Sequence, residues 1–286
     1  MYRFISLLLL SLLCHTAAAL QLQGPLEQGG MVIGKVAPGT RVSLDGKAVE
    51  VSADGRFVIG FGRDARPTAI LTTEDASGKR ERELVIQARQ YHIQSVHGIP
   101  KKIMSPSAAD LKRIRSDIRE VNAARSRHYK RMDFAGPFQW PLQGPITGVY
   151  GSQRVYNGEP GRPHYGVDVA AAVGTPVSTP APGIVTVANP DMFYSGGTVI
   201  IDHGYGISST LMHLSKVLVK VGQEVKPGDV IGEVGSTGRA TGPHLDWRMN
   251  WFNNARIDPQ LLAPPMPAHA GADDTGDRAQ PSTKTN

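Results

Sequence analysis

Between Phe138 and about Leu262, Gly and Pro interrupt the chain every few residues. Gly174-Thr175-Pro176-Val177, Gly183-Ile184-Val185, Gly196-Gly197, Val225-Lys226-Pro227-Gly228 and Gly242-Pro243 are examples. A helix interior loses about 3 kcal/mol or more at Pro and about 1 kcal/mol at Gly. Short strands end naturally at such residues. The stretch therefore predicts a β domain of many short strands, spanning 138–262.

The chain has 286 residues, enough for about two domains with separate cores. Residues 24–98 also read as mainly β. Val42-Ser43-Leu44 and Val49-Glu50-Val51 flank Asp45-Gly46, a hairpin-turn dipeptide, and Asp54-Gly55 repeats the device before Phe57-Val58-Ile59. Ala69-Ile70-Leu71 and Leu84-Val85-Ile86 add further strands, so a small sandwich-like domain is expected. A linker helix is expected over 106–133. Ser107 can cap it with Asp110 three residues on, and Leu111, Ile114, Ile118 and Val121 form one apolar stripe. Its other faces are basic, as suits a solvated linker packed on the second domain. The tail 263–286 is poor in large apolar residues and is expected to be disordered.

Met1-Tyr2-Arg3, the apolar run Phe4 to Cys14 and Ala17-Ala18-Ala19 have the layout of a signal peptide over 1–19. Export follows from it, to the periplasm first of all, with full secretion as the alternative. No other stretch approaches the roughly twenty apolar residues of a transmembrane helix, so none is expected in the mature chain. Cys14 is the only cysteine and would leave with the leader. Any metal must then be held by His and carboxylate. The formal charge of +6 falls to +5 when Arg3 is lost, a modest excess compatible with an acidic wall or membrane surface.

Three groups of polar residues carry the chemistry. His164 and Asp168 lie four apart, so in an extended strand both would face one side, with Gly166 between them allowing close backbone approach. His213 ends the run Gly206 to Met212, and Met212 and Leu214 would face the core on the opposite side if the strand alternates. His244 and Asp246 share a strand face around Leu245. Such a set suits zinc, which accepts His nitrogen and Asp oxygen at about 2.0–2.2 Å and keeps one position for water in catalytic sites. His203 reads as a structural turn residue. Arg154, Tyr156 and Arg239 are weaker candidates for lining a substrate groove.

These signals, in this order across most of a domain, resemble the lysostaphin-type (LytM-like) zinc endopeptidases that cut peptide cross-links in bacterial peptidoglycan. The resemblance covers His-x-x-x-Asp, Gly174-Thr175-Pro176-Val177, Gly196-Gly197, His213-Leu214, Val221 to Gly228, Gly232 to Gly238 and Gly242-Pro243-His244-Leu245. It implies a mainly β duplicated-hybrid-motif domain with one Zn2+ held by His164, Asp168 and the residue at 246. It also implies that His213 and His244 flank the reactive water and the carbonyl oxyanion, and that the partners are peptidoglycan stem peptides and cross-links. The family pattern has His where this chain has Asp246. Two carboxylates would neutralise the ion and acidify its water less, and oxygen ligands suit harder ions such as Mn2+. A working endopeptidase and a degenerate wall-binding module or activator of a separate wall amidase therefore both stand at this point. Val221 to Gly235 also resembles half of a biotinyl carrier domain, but Lys226-Pro227-Gly228 lacks the flanks of a modified lysine. No Gly-x-Ser-x-Gly elbow, His-Glu-x-x-His helix, P-loop or dinucleotide fingerprint occurs, and no base-reading motif supports nucleic-acid binding.

Overall fold

The computed structural model describes residues 20–96, 106–127 and 129–267. The leader expected at 1–19 and the tail beyond Pro267 lie outside the described residues.

The N-terminal unit consists of two antiparallel sheets. One contains β1 (Gln21–Gln23), β2 (Met31–Lys35) and β5 (Arg56–Gly60), in that order. The other contains β3 (Arg41–Leu44), β4 (Lys47–Val49), β6 (Thr68–Asp75) and β7 (Gly78–Val85), ordered β4-β3-β6-β7. Asp45 and Gly46 join β3 to β4 with φ of 48° and 76°. That double positive φ matches the twist of a two-residue hairpin and explains the dipeptide. Val32, Phe57, Ile59, Leu71 and Leu84 come from both sheets and form one buried core. The mainly β, sandwich-like expectation is met.

β8 (Ile93–Val96) leaves this unit and pairs in parallel with a later strand. Helix α1 follows at Ala108–Arg125, its start fixed by the expected capping box: Ser107 Oγ accepts from Asp110 N, and Ser107 N donates to the Asp110 carboxylate. The helix ends at Arg125, earlier than the expected 133. The segment after it spends its backbone groups on a turn far along the chain instead, with Tyr205 N donating to Tyr129 O and Phe134 N to His203 O. Only part of the apolar stripe is covered. Ile114 is buried and Val121 packs near Val187 and Ile200, whereas Leu111 and Ile118 stay exposed.

The remaining strands are β9 (Ile146–Gly148), β10 (Gln153–Tyr156), β11 (Glu159–Pro160), β12 (Gly166–Ala170), β13 (Pro176–Ser178) and β14 (Gly183–Met192). After them come β15 (Gly196–Asp202), β16 (Ile207–Val217), β17 (Glu224–Val225), β18 (Val230–Val234), β19 (His244–Trp251) and β20 (Ala255–Ile257). β8, β10 and β11 form a small sheet. The main sheet runs β17-β14-β15-β16-β19-β12-β9, with β18 on β16, β13 on β18 and β20 on β19.

Alternation sorts the main sheet into two faces. Val167 and Val169 of β12, Ile207, Leu211 and Leu214 of β16, and Leu245, Trp247 and Met249 of β19 enter the main core. The opposite, outer face carries Asp168, Ser208, Thr210, His244, Asp246, Arg248 and Asn250, and α1 packs against its β14 side.

The two units are tied together rather than strung on a free linker. Arg89 pairs with Asp258 at 2.8 Å, Arg63 Nε donates to Gly151 O at 2.9 Å, and Met31 and Val58 enter the main core. The chain also stays packed past Leu262, where the tail was expected to begin. Trp140 Nε1 donates to Pro264 O at 2.7 Å, and Ala263 and Met266 lie on the core.

Candidate metal centre

Asp168 and Asp246 are direct partners in the antiparallel ladder of β12 and β19, so their side chains leave the same face side by side. His164 joins them from the loop before β12, not from the strand itself. Its position comes from two backbone bonds, His164 N to Ser152 O and Gly151 N to His164 O, both 2.8 Å. His164 Nε2 then lies 3.0 Å from Asp168 Oδ1 and 3.4 Å from Asp246 Oδ2. One ligand atom from each of the three lies within 4.8 Å of the others. Bonds of about 2.0–2.2 Å to a tetrahedral ion separate neighbouring ligand atoms by about 3.3–3.6 Å. The His164–Asp246 separation falls in that range and the His164–Asp168 one just below it, so the three residues could hold one metal ion.

Two glycines make this closeness possible. A Cβ at Gly148 would overlap the Asp168 carboxylate, and one at Gly166 would come within 2.6 Å of Asp246 Oδ1. Gly166 thus clears room for the carboxylate and for Arg248 beside it.

Electrostatics follow from burial and charge. Burial opposes charge on His164, but its hydrogen bonds to Asp168 and Asp246 overcome this and raise its pKa to about 10. Without an ion, a proton shared with two carboxylates takes the ion's place. Burial also opposes ionisation of Asp246, yet the Arg248 guanidinium and His164 hold its carboxyl well below the usual range. Arg248 does so at close range: its Nε lies 3.0 and 3.1 Å from the two Asp246 oxygens, and its terminal nitrogen is 2.6 Å from Oδ2.

His213 reaches the same face by breaking alternation. Both Leu211 and Leu214 enter the core, three residues apart, because the β15–β16 register shifts here and His213 takes φ of 64°. Met212, expected to face the core, instead pairs with Asp246 and points to the outer face. The Leu214 expectation holds. His213 Nδ1 lies 2.8 Å from Thr237 O, and His244 Nδ1 lies 2.8 Å from Gly242 O. A carbonyl only accepts, so each Nδ1 carries a proton, and in the neutral ring Nε2 is then the atom that keeps a lone pair. The two rings are 4.7 Å apart, and His244 Nε2 is 3.9 Å from Asp168 Oδ1. Burial lowers the His213 pKa and keeps that ring neutral. Thr237 supports it from behind, its hydroxyl donating to Leu214 O at 2.8 Å and accepting from Gly197 N at 2.9 Å.

The weaker candidates fall elsewhere. His203 is fully buried between Pro182 O, 2.6 Å away, and Ser209 Oγ, 2.8 Å away. Arg239 lies over the Tyr194 ring at 5.2 Å. Arg154 is exposed on β10, and the Tyr156 side chain is outside the described residues. Arg248 and Thr237 were not singled out from the sequence. Arg248 had a legible signal, since it stands two residues after Asp246 and so on the same strand face; Thr237 had none beyond its glycine-rich loop.

With this geometry in view, the comparisons fall into place. Residues 162–259 match the model of peptidase family M23. A crystal structure of an M23 peptidase from Pseudomonas aeruginosa is 32% identical, covering 82% of this chain and 94% of that one with a TM-score of 0.65. The chain belongs to peptidase family M23. It is also 46% identical over 87 residues to the peptidoglycan DD-endopeptidase ShyA of Vibrio cholerae, covering 30% of this chain and 20% of that protein. With the DD-carboxypeptidase/endopeptidase Mpg of Neisseria meningitidis it shares 40% identity over 119 residues, covering 42% and 27%. The matches thus span between a fifth and just over a quarter of these relatives' lengths. Among the described residues no helix is long and apolar enough to cross a membrane.

Proposed function

We propose that the protein is an exported, zinc-dependent endopeptidase that hydrolyses peptide cross-links in peptidoglycan. The observation carrying this reading is the convergence of His164, Asp168 and Asp246 beneath two imidazoles whose free Nε2 atoms belong to one face. Relatives that act on peptidoglycan supply the substrate class.

His164 Nε2, Asp168 Oδ1 and Asp246 Oδ2 would hold the ion. Bound there, zinc supplies Lewis acidity to a water and to the scissile carbonyl. His213, kept neutral by burial, accepts the water proton at Nε2 and then presents an N–H to the oxyanion or the leaving amine. His244 acts from the neighbouring position in the same tautomer.

The charge beside Asp246 supports this chemistry. The extra negative charge of Asp246 is matched by Arg248, so the Asp246–Arg248 pair is together as neutral as an imidazole. Two carboxylates and one guanidinium then leave the ion's environment with a single net negative charge, as one carboxylate and two imidazoles would.

One observation favours a second reading, a wall-binding module or amidase activator without a working metal. Both Asp246 oxygens are already engaged by Arg248. Metal analysis of the purified protein, paired with muropeptide release from purified sacculi, decides between them. One equivalent of zinc with release supports the hydrolase; a metal-free protein that leaves sacculi intact supports the module. Asp246→His adds a second readout, because it leaves Arg248 without its partner: lower activity is expected.

A further inference from the structure

Five buried side-chain polar atoms have no hydrogen-bond partner among the described residues, and three are donors placed together: Arg125 Nε, Ser208 Oγ and Asn250 Nδ2. Ser208 and Asn250 are ladder partners on the outer face, next to the Thr210–Arg248 pair. Arg125, the last residue of α1, comes down onto this spot and donates to Thr210 Oγ1 at 3.0 Å. Arg256 is the ladder partner of Asn250 and donates to its Oδ1 at 3.0 Å.

The charge balance is as uneven as the hydrogen bonding. Neither Arg125 nor Arg256 has a carboxylate within ion-pair distance among the described residues, whereas Arg248 is matched by Asp246. Arg125 is only 7% exposed. Burial, and then the charges of Arg256, Arg248 and Arg162, lower its pKa to about 9. Folding does not ordinarily bury a guanidinium without an anion, or leave three neighbouring donors unmet. Water would satisfy the donors but not the charge.

We propose that Arg125, Arg256, Ser208 and Asn250 form an anion subsite that binds a carboxylate of the substrate peptide. This rests on the hydrolase reading above and names the substrate feature that the same face selects. The planar guanidinium fork suits a carboxylate, and the hydroxyl and amide supply further donors. Along the strands, the subsite lies two to four residues from Asp246, about 7–13 Å at 3.3 Å per residue. An extended substrate would therefore carry its carboxylate two to four residues from the bond that is cut. Arg256 is partly exposed, whereas Arg125, Ser208 and Asn250 are buried, so a carboxylate would reach them as the C-terminal end of α1 lifts, and substrate contact and the seating of α1 would become one event.

The test is thermal melting of the zinc-loaded full-length protein at constant ionic strength. The probes are a short acetylated alanine peptide with a free C-terminal carboxylate, the same peptide as its amide, and inorganic phosphate. The expected result is a rise of roughly 5 °C with the acid at saturation, none with the amide, and loss of the response in Arg125→Met. Asn250→Asp serves where Arg125→Met does not fold: its built-in carboxylate should raise the melting temperature without ligand and abolish the response. Equal responses to acid and amide, an undiminished response in either variant, or stabilisation by phosphate alone overturns the proposal. Melting needs no turnover. A peptide response in a protein that releases no muropeptide keeps the subsite and removes the hydrolase reading, and release without a response does the reverse.

Discussion

The outer face of the main sheet has two ends of opposite character. At one end acceptors crowd together, with Asp168 and Asp246 on His164 and the lone pairs of His213 and His244 pointing inward. At the other end donors crowd together, with Arg125, Ser208 and Asn250 unmet and Arg256 unmatched in charge. Arg248 sits between them and belongs to both, its charge spent on Asp246 and its ladder partner, Thr210, holding Arg125. The difference teaches how one flat face can present a cation site and an anion site side by side. Each excess is costly without a ligand, and a single buried pair separates them.

The comparison is broken most severely at its acceptor end. His213→Ala should lower turnover by about 10²–10⁴, the usual worth of a positioned acid–base group, with zinc content unchanged. Loss of zinc along with activity would make His213 a ligand instead. The next largest effect is expected at the junction. Arg248→Ala leaves the buried Asp246 with only its share of His164, which also serves Asp168, and should cost roughly 3 kcal/mol of stability in denaturant melts. Zinc should recover part of it, because the ion then carries the missing positive charge.

The inner face offers a control, since its polar groups are satisfied and nothing converges there. Burial lowers the His203 pKa to about 4 from an ordinary 6.5. Between those values the unfolded chain binds a proton that the folded one refuses, so stability is present above pH 6.5 and falls on acidification towards pH 4. The loss should be roughly 2–3 kcal/mol. Asp202 works against it, because burial raises its carboxyl to about 6 and favours the folded state as pH falls from there towards 3.8. Melts of the wild type and of His203→Gln from pH 7 to 4 should therefore converge at low pH, and parallel curves would remove His203 from the account. The smallest effect concerns the donor end. Ser107→Ala removes the cap of α1 and should cost about 1 kcal/mol. It should also weaken the response to a carboxylate peptide while leaving zinc content alone.

Much of the architecture was legible before any coordinates. Asp45-Gly46 announced a hairpin because only residues tolerating positive φ make that turn, and both adopt it. Ser107 and Asp110 announced the start of α1 because the capping box is local chemistry. Its end was not legible, since Tyr129 and Phe134 bond to a turn far along the chain. The alternation rule placed Asp168, His244 and Asp246, but it put Met212 on the wrong face because a bulge at His213 leaves no mark in residue type.

The amino-acid sequence by itself determined the class of the protein through short motifs set between Gly and Pro in an order that resembles a known family, and strand alternation placed three of the five polar residues. Tertiary structure alone decided how those residues are charged and held. Asp246 looked like an excess carboxylate until the fold set Arg248 against both its oxygens. Arg125 looked like one of many basic residues on a linker helix until the fold buried it over Thr210. The physical reason is range: turns, caps and alternation act over a few residues, whereas the fate of a buried charge depends on what the whole chain packs beside it.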